Sequence, residues 1–315
     1  MSSDRKVVAL GGGHGLAATL TALRSFTSNI TAIVTVADNG GSSGRLREEF
    51  PILPPGDLRM ALAALCSDDE WGRSWAEIMQ YRFTSDGDLN GHAVGNLLLA
   101  ALWDRDEDTV AGLDRVGALL KVIGRVLPMA TNPLDIEATF ENSIGIKIVQ
   151  GQAEVATTKG RLKSLRIIPE NPTAYPEALA AIADADWITM GPGSWFSSVI
   201  PHLLVPAQRD AIVASKAKKI LLLNLDIADK SAGEYAGYSP LEHLRILSEY
   251  APELHFDCVA LDSSADGREE LRAHLSTIGS ELVVADLRSA GSPVHHDVKK
   301  LGQLFSHIDS EILVG

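Results

Sequence analysis

Short apolar runs and longer amphipathic stretches take turns along most of this 315-residue chain. Residues 6–10, a lysine followed by four apolar residues, lead into glycines, which predicts a buried strand, and 15–25 carry apolar positions at helical spacing. Residues 30–36, rich in β-branched side chains, predict a second strand. Further strands are predicted over 187–190, 219–225, 256–261 and 281–285, with helices over 176–185, 207–217 and 240–250 between them. This alternation implies an α/β fold, a doubly wound and mainly parallel sheet with helices on both faces.

The middle of the chain breaks the rhythm. Residues 57–66, 71–80, 92–104 and 109–124 are helical in pattern with no strand between them, so a helical insertion is expected over about 57–124. Residues 137–168 then carry the pattern of a small β-meander. No repeat, low-complexity tract or Pro/Ser-rich linker marks a boundary, so residues 1–315 are expected to form a single domain with these embellishments.

Composition narrows the partners. The formal net charge is -13, and no Lys/Arg-rich stretch stands out, so nucleic acid and anionic membrane surfaces are poor matches. No apolar run approaches the roughly 20 residues needed to span a bilayer. The first six residues lack the apolar core and cleavage site of a signal peptide, and Cys66 and Cys258 lie far apart in apolar surroundings. Buried free thiols in a reducing compartment, the cytoplasm, are the expectation.

Five segments carry candidate chemistry. Gly11-Gly12-Gly13-His14-Gly15 sits between the first strand and helix, where free N–H groups and the positive helix end suit a phosphate. It matches neither G-x-G-x-x-G nor G-x-x-x-x-G-K-[ST]. His14 either touches the ligand or caps the helix. Asp38-Asn39-Gly40-Gly41-Ser42-Ser43-Gly44-Arg45 follows the second strand. Asp38 lies where doubly wound folds place an acidic residue near a ribose; Ser42 and Ser43 offer hydroxyls, Gly41 a backbone N–H, and Arg45 a planar fork for phosphate. Asp57 either caps the helix that begins beside it or converges with Asp38 on Mg²⁺.

His92 and Asn96, four apart around Gly95, share one face of a helix start, either as a site or as helix packing. The last segment, Gly191-Pro192-Gly193-Ser194-Trp195-Phe196-Ser197-Ser198, repeats the strand–glycine loop–helix plan and adds serine hydroxyls. Ligands of open α/β sheets bind beyond the carboxyl ends of the strands, so the three glycine loops point to one crevice. H-E-x-x-H and Cys/His zinc spacings do not occur.

Taken together, Gly-Gly-Gly-x-Gly-Leu, Ala-Asp-x-Gly-Gly-Ser-Ser-Gly-Arg-Leu-Arg, Pro-Pro-Gly-Asp-Leu-Arg, Gly-His-x-x-Gly-Asn and Gly-Pro-Gly-Ser resemble the gluconeogenesis factor (YvcK) branch of the CofD-like family. The segments 149–153 and 201–206 resemble its actinobacterial form. The resemblance implies a Rossmann-like fold and a cytoplasmic factor that binds UDP-sugars, notably UDP-N-acetylglucosamine. It further implies a link between gluconeogenic growth, peptidoglycan precursor supply and cell shape. A homodimer and a cell-wall-synthesis enzyme are the candidate partners. Gly12, Gly13, Asp38, Ser42, Ser43, Gly191, Gly193 and Ser194 carry over as nucleotide contacts.

The other branch, 2-phospho-L-lactate transferase, uses a nucleotide-activated donor, a deazaflavin acceptor and Mg²⁺; there Asp38 and Asp57 match the metal or acceptor candidates. A NAD-dependent oxidoreductase is a third reading, weakened by the incomplete fingerprint. Asn39 stands where the family usually has a second Asp, which counts against a metal-dependent transferase. Asn224-Leu225 with Gly233-Glu234-Tyr235 resembles the family's Asn-Leu…Gly-Glu-Thr, with Tyr for Thr. His295 replaces an Arg of the Arg-His-Asp segment, and a mostly neutral imidazole would weaken any diphosphate contact there.

Overall fold

A computed structural model of the chain describes residues 3–143, 145–225 and 238–313. The first strand, β1 (Val7–Gly11), leads through the glycine loop into α1 (Gly13–Leu23) and back to β2 (Ile30–Val34). The insertion follows: α2 (Gly41–Glu49), α3 (Pro55–Ala64), α4 (Glu70–Gln80), α5 (Val94–Asp106) and α6 (Thr109–Leu120), ending in β3 (Arg125–Pro128). Next come β4 (Asp135–Asn142), β5 (Gly145–Gln150), the short α7 (Gln152–Thr157) and β6 (Arg161–Ile168).

The second half returns to alternation. It runs α8 (Pro176–Ala183), β7 (Trp187–Met190), a π-helical turn at Trp195–Val199, α9 (Pro201–Leu204), α10 (Pro206–Ala214) and β8 (Lys218–Leu222). After the undescribed segment come α11 (Pro240–Tyr250), β9 (Cys258–Asp262), α12 (Arg268–Ile278) and β10 (Glu281–Ala285). A hairpin of β11 (Arg288–Ser289) and β12 (Ser292–His296) then leads into α13 (Val298–His307). No helix among the described residues is long and apolar enough to cross a membrane.

Among the described residues, seven strands form one sheet in the order β10-β9-β8-β7-β1-β2-β3, and every neighbouring pair is parallel. The fold is α/β and Rossmann-like. Strands covered on both faces need apolar side chains on both, which is why β1 and β9 are buried along their whole length. From β1 the chain steps outward to β2 and β3; from β7 it steps the other way to β8, β9 and β10. The switch point therefore lies between β1 and β7, and it brings the two glycine loops side by side.

Residues 135–168 form a second, antiparallel sheet as expected, but its order is β5-β4-β6. The third strand returns to pair with the first instead of continuing the meander, and α7 makes the crossing. The inner face of β4 (Ile136, Ala138, Phe140) joins the same hydrophobic core as the large sheet. Phe140 meets Phe196 of the π-helical turn at 6.0 Å between ring centroids, so the small sheet is anchored beside the switch point.

Two elements depart from the sequence pattern. Residues 41–49, expected as a loop, are helical: Ser43 Oγ accepts the N–H of Gly56 at 3.0 Å, tying α2 to the start of α3. The helix expected over 109–124 stops at Leu120, with Lys121 in the left-handed region, and frees β3 to become the edge of the large sheet.

Candidate functional site

The opening loop is braced from three sides. Gly11 ends β1, and its carbonyl accepts the N–H of Thr35 at 2.9 Å and faces His202 Nε2 at 3.2 Å. His202 is fully buried, and the amide of Gln208 meets its Nδ1 at 2.9 Å. Gln208 donates there and the ring donates to Gly11, a neutral Nε2–H imidazole; burial pushes its pKa down to about 4. Gly12 is the N-cap of α1, which has no side-chain cap and no acidic residue in its first turn. The first-turn N–H groups of a helix have no intrahelical partner, and the helix dipole adds positive potential there.

The two loops touch. A Cβ on Gly15 would collide with the carbonyl of Pro192, so only glycine lets α1 approach this closely. Gly193 has φ +143 and is gripped by one side chain: its N–H donates to Asn224 Oδ1 at 2.8 Å, and its carbonyl accepts from Asn224 Nδ2 at 2.7 Å. Ser194 Oγ accepts the N–H of Ser197 at 3.1 Å and caps the π-helical turn.

Between these loops lies a cavity of about 450 Å³. Gly12, Gly13, His14 and Gly15 form one wall, and Pro192, Gly193, Ser194, Ser197, Ser198 and Asn224 form the floor. Gln152, Ala153 and Ala156 of α7 close one side; Val294, His295 and His296 of the hairpin close the other. Among the described residues, no Asp, Glu, Lys or Arg lines it. In a chain of net charge -13 this is a local relief from negative potential. Gly11 and Gly191 lie beneath, as the last residue of β1 and the residue after β7.

The second predicted loop does not line this cavity. Asn39 is its nearest structural contributor: its Oδ1 accepts the N–H groups of Gln152 at 2.9 Å and Ala153 at 3.3 Å, capping α7 and fixing the wall that those residues form. Asp38 Oδ1 accepts the N–H of Gly40 at 2.9 Å. Gly41 is exposed at the start of α2. Arg45 corrects an expectation. Its guanidinium grips the carbonyls of Asp88 at 3.0 Å and Asn90 at 2.7 Å, closing the loop before α5 rather than reaching the cavity.

Ser42, His92 and Asn96 are brought together, but inside the protein. Asn96 Nδ2 donates to Ser42 Oγ at 3.0 Å, and that hydroxyl lies 3.0 Å from His92 Nδ1. Asn96 Oδ1 accepts from Nε of Arg59 at 2.8 Å, and the same guanidinium meets Gln80 Oε1. Burial first, then Arg82, lowers the pKa of Arg59 to about 10. This network locks α2, α3 and α5 together, which is the packing reading of the His92–Asn96 pair.

Asp57 does not cap its own helix; Pro54 holds the N-cap position with no side-chain bond. Its carboxylate instead accepts the N–H of Gly13, and its Oδ2 is buried without a hydrogen-bond partner. Burial, then the nearby Asp38, raises its pKa to about 7 against the pull of Gly13 and Arg59. A Cβ on Gly56 would come within 2.7 Å of Asp38 Oδ2, so both carboxylates crowd the start of α3. No group of three or more metal-ligating side chains occurs among the described residues. His202, Gln208 and Arg59 are supporting residues that sequence reasoning passed over; the signal for His202 and Arg59 was their place inside segments 201–206 and 54–59, and Gln208 lies outside both. The Gly233-Glu234-Tyr235 departure lies outside the described residues.

The sheet order and the twin-loop crevice define an open α/β protein of Rossmann-like topology with its cavity at the switch point. The profile of the family "2-phospho-L-lactate transferase CofD" matches residues 7–303, and the chain belongs to that family. Its relatives include the gluconeogenesis factor of Bacillus subtilis, 36% identical over 271 residues that cover 86% of this chain and 81% of the relative. A Mycobacterium tuberculosis protein provisionally named gluconeogenesis factor is 47% identical over 297 residues, 92% of this chain and 86% of the relative. A crystal structure of a Bacillus halodurans protein matches with TM-score 0.84 and 32% identity, covering 96% of this chain and 100% of that one. Within the family, the chain is thus a factor of the gluconeogenesis-factor type.

Proposed function

We propose that this protein is a cytoplasmic UDP-sugar-binding factor, with UDP-N-acetylglucosamine as its ligand, that ties gluconeogenic growth to peptidoglycan precursor supply and cell shape. The observation that carries the reading is the switch-point cavity. It is built from two apposed glycine loops, lacks carboxylates among its lining residues, and has a volume of about 450 Å³, within the range of small-ligand sites. In this reading the diphosphate lies over the start of α1 and the Gly193-Ser194 turn. The relatives' name supplies the gluconeogenic context, and an enzyme of cell-wall synthesis is the partner acted upon. Calorimetric titration with UDP-N-acetylglucosamine, GDP and NAD, each with and without Mg²⁺, tests it. Saturable binding of the UDP-sugar alone is expected; no binding of it at millimolar concentration sinks the reading.

One observation favours a second reading, a Mg²⁺-dependent transferase of the 2-phospho-L-lactate type. The buried, unpartnered Asp57 Oδ2 beside Asp38 suits a cation held by two carboxylates and completed by ligand phosphates. Bound there, Mg²⁺ would neutralise charge on a diphosphate ester. Asn39, occupied in capping α7, adds no charge to such a site. Transfer of phospholactate from an activated donor to a deazaflavin acceptor would promote this reading over the first.

A further inference from the structure

Among the described residues, three imidazoles line the cavity, and their surroundings divide them. His296 is committed: its ring donates to the backbone of Leu223, its Nε2 is buried, and burial pushes its pKa down to about 4. His14 and His295 are exposed, one on the first turn of α1 and the other on β12. His14 has no side-chain hydrogen bond among the described residues. The charged groups that act on it are His295 from the hairpin, Arg59 from α3 and Arg82 from the segment after α4, all of one sign when charged. Partial desolvation of the ring by the surrounding cavity walls first, and then these neighbours, holds its pKa below the ordinary imidazole value although much of the residue's surface is exposed.

His295 uses Nδ1 on the Ser292 hydroxyl at 2.8 Å, which leaves Nε2 for a ligand. The groups around it are His14 across the cavity and His296 beside it. The carboxylate behind the hairpin, Asp262, is already taken: it accepts from Leu287 N–H at 2.8 Å, from Arg288 Nε at 3.1 Å and from Ser264. None of the charged neighbours of His14 favours a positive charge on its ring. An anion between the two rings does.

Resting on the reading that a nucleoside diphosphate sugar fills the cavity, we propose that His14 and His295 form a proton-taking clamp on its diphosphate. Each ring gains a proton from solvent as the ligand's negative charge arrives, and each then donates a charged hydrogen bond to it. The site is thereby pH-regulated: acidification tightens it and alkalinisation loosens it. The fixed, neutral His296 takes no part.

The test is calorimetric titration of UDP-N-acetylglucosamine into the full chain at about pH 6 and about pH 8, in buffers of different ionisation heat. The nucleotide sugar exchanges no proton in that range, so proton uptake reports on the protein. Affinity about tenfold or more weaker at the higher pH is expected, with net uptake of protons on binding. His14→Gln/His295→Gln, both at exposed positions, is expected to keep the wild-type circular dichroism, bind more weakly, and lose both pH dependence and uptake. Equal wild-type affinity at both pH values with no uptake overturns the clamp and leaves the ligand reading standing. So does pH dependence that survives in the double variant. Failure of the UDP-sugar to bind at either pH overturns the ligand reading, and the clamp with it.

Discussion

Asp57 reaches from the first turn of α3 to accept the backbone N–H of Gly13, so a buried carboxylate braces the loop at the head of the cavity. The same contact leaves Oδ2 without a partner. The carboxylate is therefore costly when ionised, and its state is coupled to the geometry of the site.

That cost sets the alkaline side of the stability profile. Asp57 has its pKa raised from 3.8 to about 7, so the folded protein holds this proton more tightly than the unfolded chain. Its contribution is fully present below pH 3.8 and is lost as pH rises through about 7. His202, His243 and His296 work in the opposite sense. Burial lowers each from 6.5 to about 4, and their contribution, present above 6.5, is lost as pH falls through about 4. Thermal melts across this range should show a maximum near pH 6–7. In Asp57→Asn the decline toward alkaline pH should flatten while the acid limb stays; an unchanged alkaline limb would contradict the assignment.

Gly15→Ala should separate the two loops. The added methyl meets the carbonyl of Pro192, a backbone group that cannot turn aside. A loss of about 1–3 kcal/mol in denaturant unfolding is expected. The UDP-sugar titration should weaken with it, since the cavity is built on that contact.

Asn224→Ala removes both bonds to Gly193, at 2.8 and 2.7 Å. The expected loss is about 1–3 kcal/mol, read by chemical denaturation. Asn224→Asp is expected to do no better, because a carboxylate oxygen would then face the Gly193 carbonyl. Recovery of stability in that variant would show that the amide is not the clamp.

How far the chain could be read in advance depended on how local each feature is. The helix expected over 240–250 matches α11 end to end, because its start is written nearby: Ser239 and Glu242 form a capping box around Pro240. Strands β7 and β10 match as well, being short apolar runs. Helix α2 was not legible, since Gly-Ser-Ser-Gly is a poor helix sequence and its support comes from Gly56 on the next helix. The β5-β4-β6 order is likewise a matter of non-local pairing.

The site divides in the same way. Both glycine loops were legible because strand–glycine–helix junctions are local. Arg45 was misread because nothing in its own segment says that its fork meets Asp88 and Asn90. His202 was unreadable for the same reason: the carbonyl it meets is 191 residues away.

Asn96→Ala tests the buried network. It takes the acceptor from Arg59 Nε and a donor from Ser42, both inside the protein. A loss of about 1.5–3 kcal/mol is expected for the bond to the charged group alone. Ligand affinity should change little, because neither Asn96 nor Arg59 lines the cavity. A variant with native stability but no binding would move these residues into the site.

The central claim is that a nucleotide sugar occupies the switch-point cavity, and Ala153→Trp tests it most directly. Ala153 is exposed on α7 and lines the cavity, so an indole there fills the space without disturbing the core. The measurement is a titration of UDP-N-acetylglucosamine into wild type and variant, with melting temperatures recorded for both. The account predicts saturable binding to wild type and none to the variant at an unchanged melting temperature. Equal affinity in the two proteins, or no binding to wild type, would contradict it.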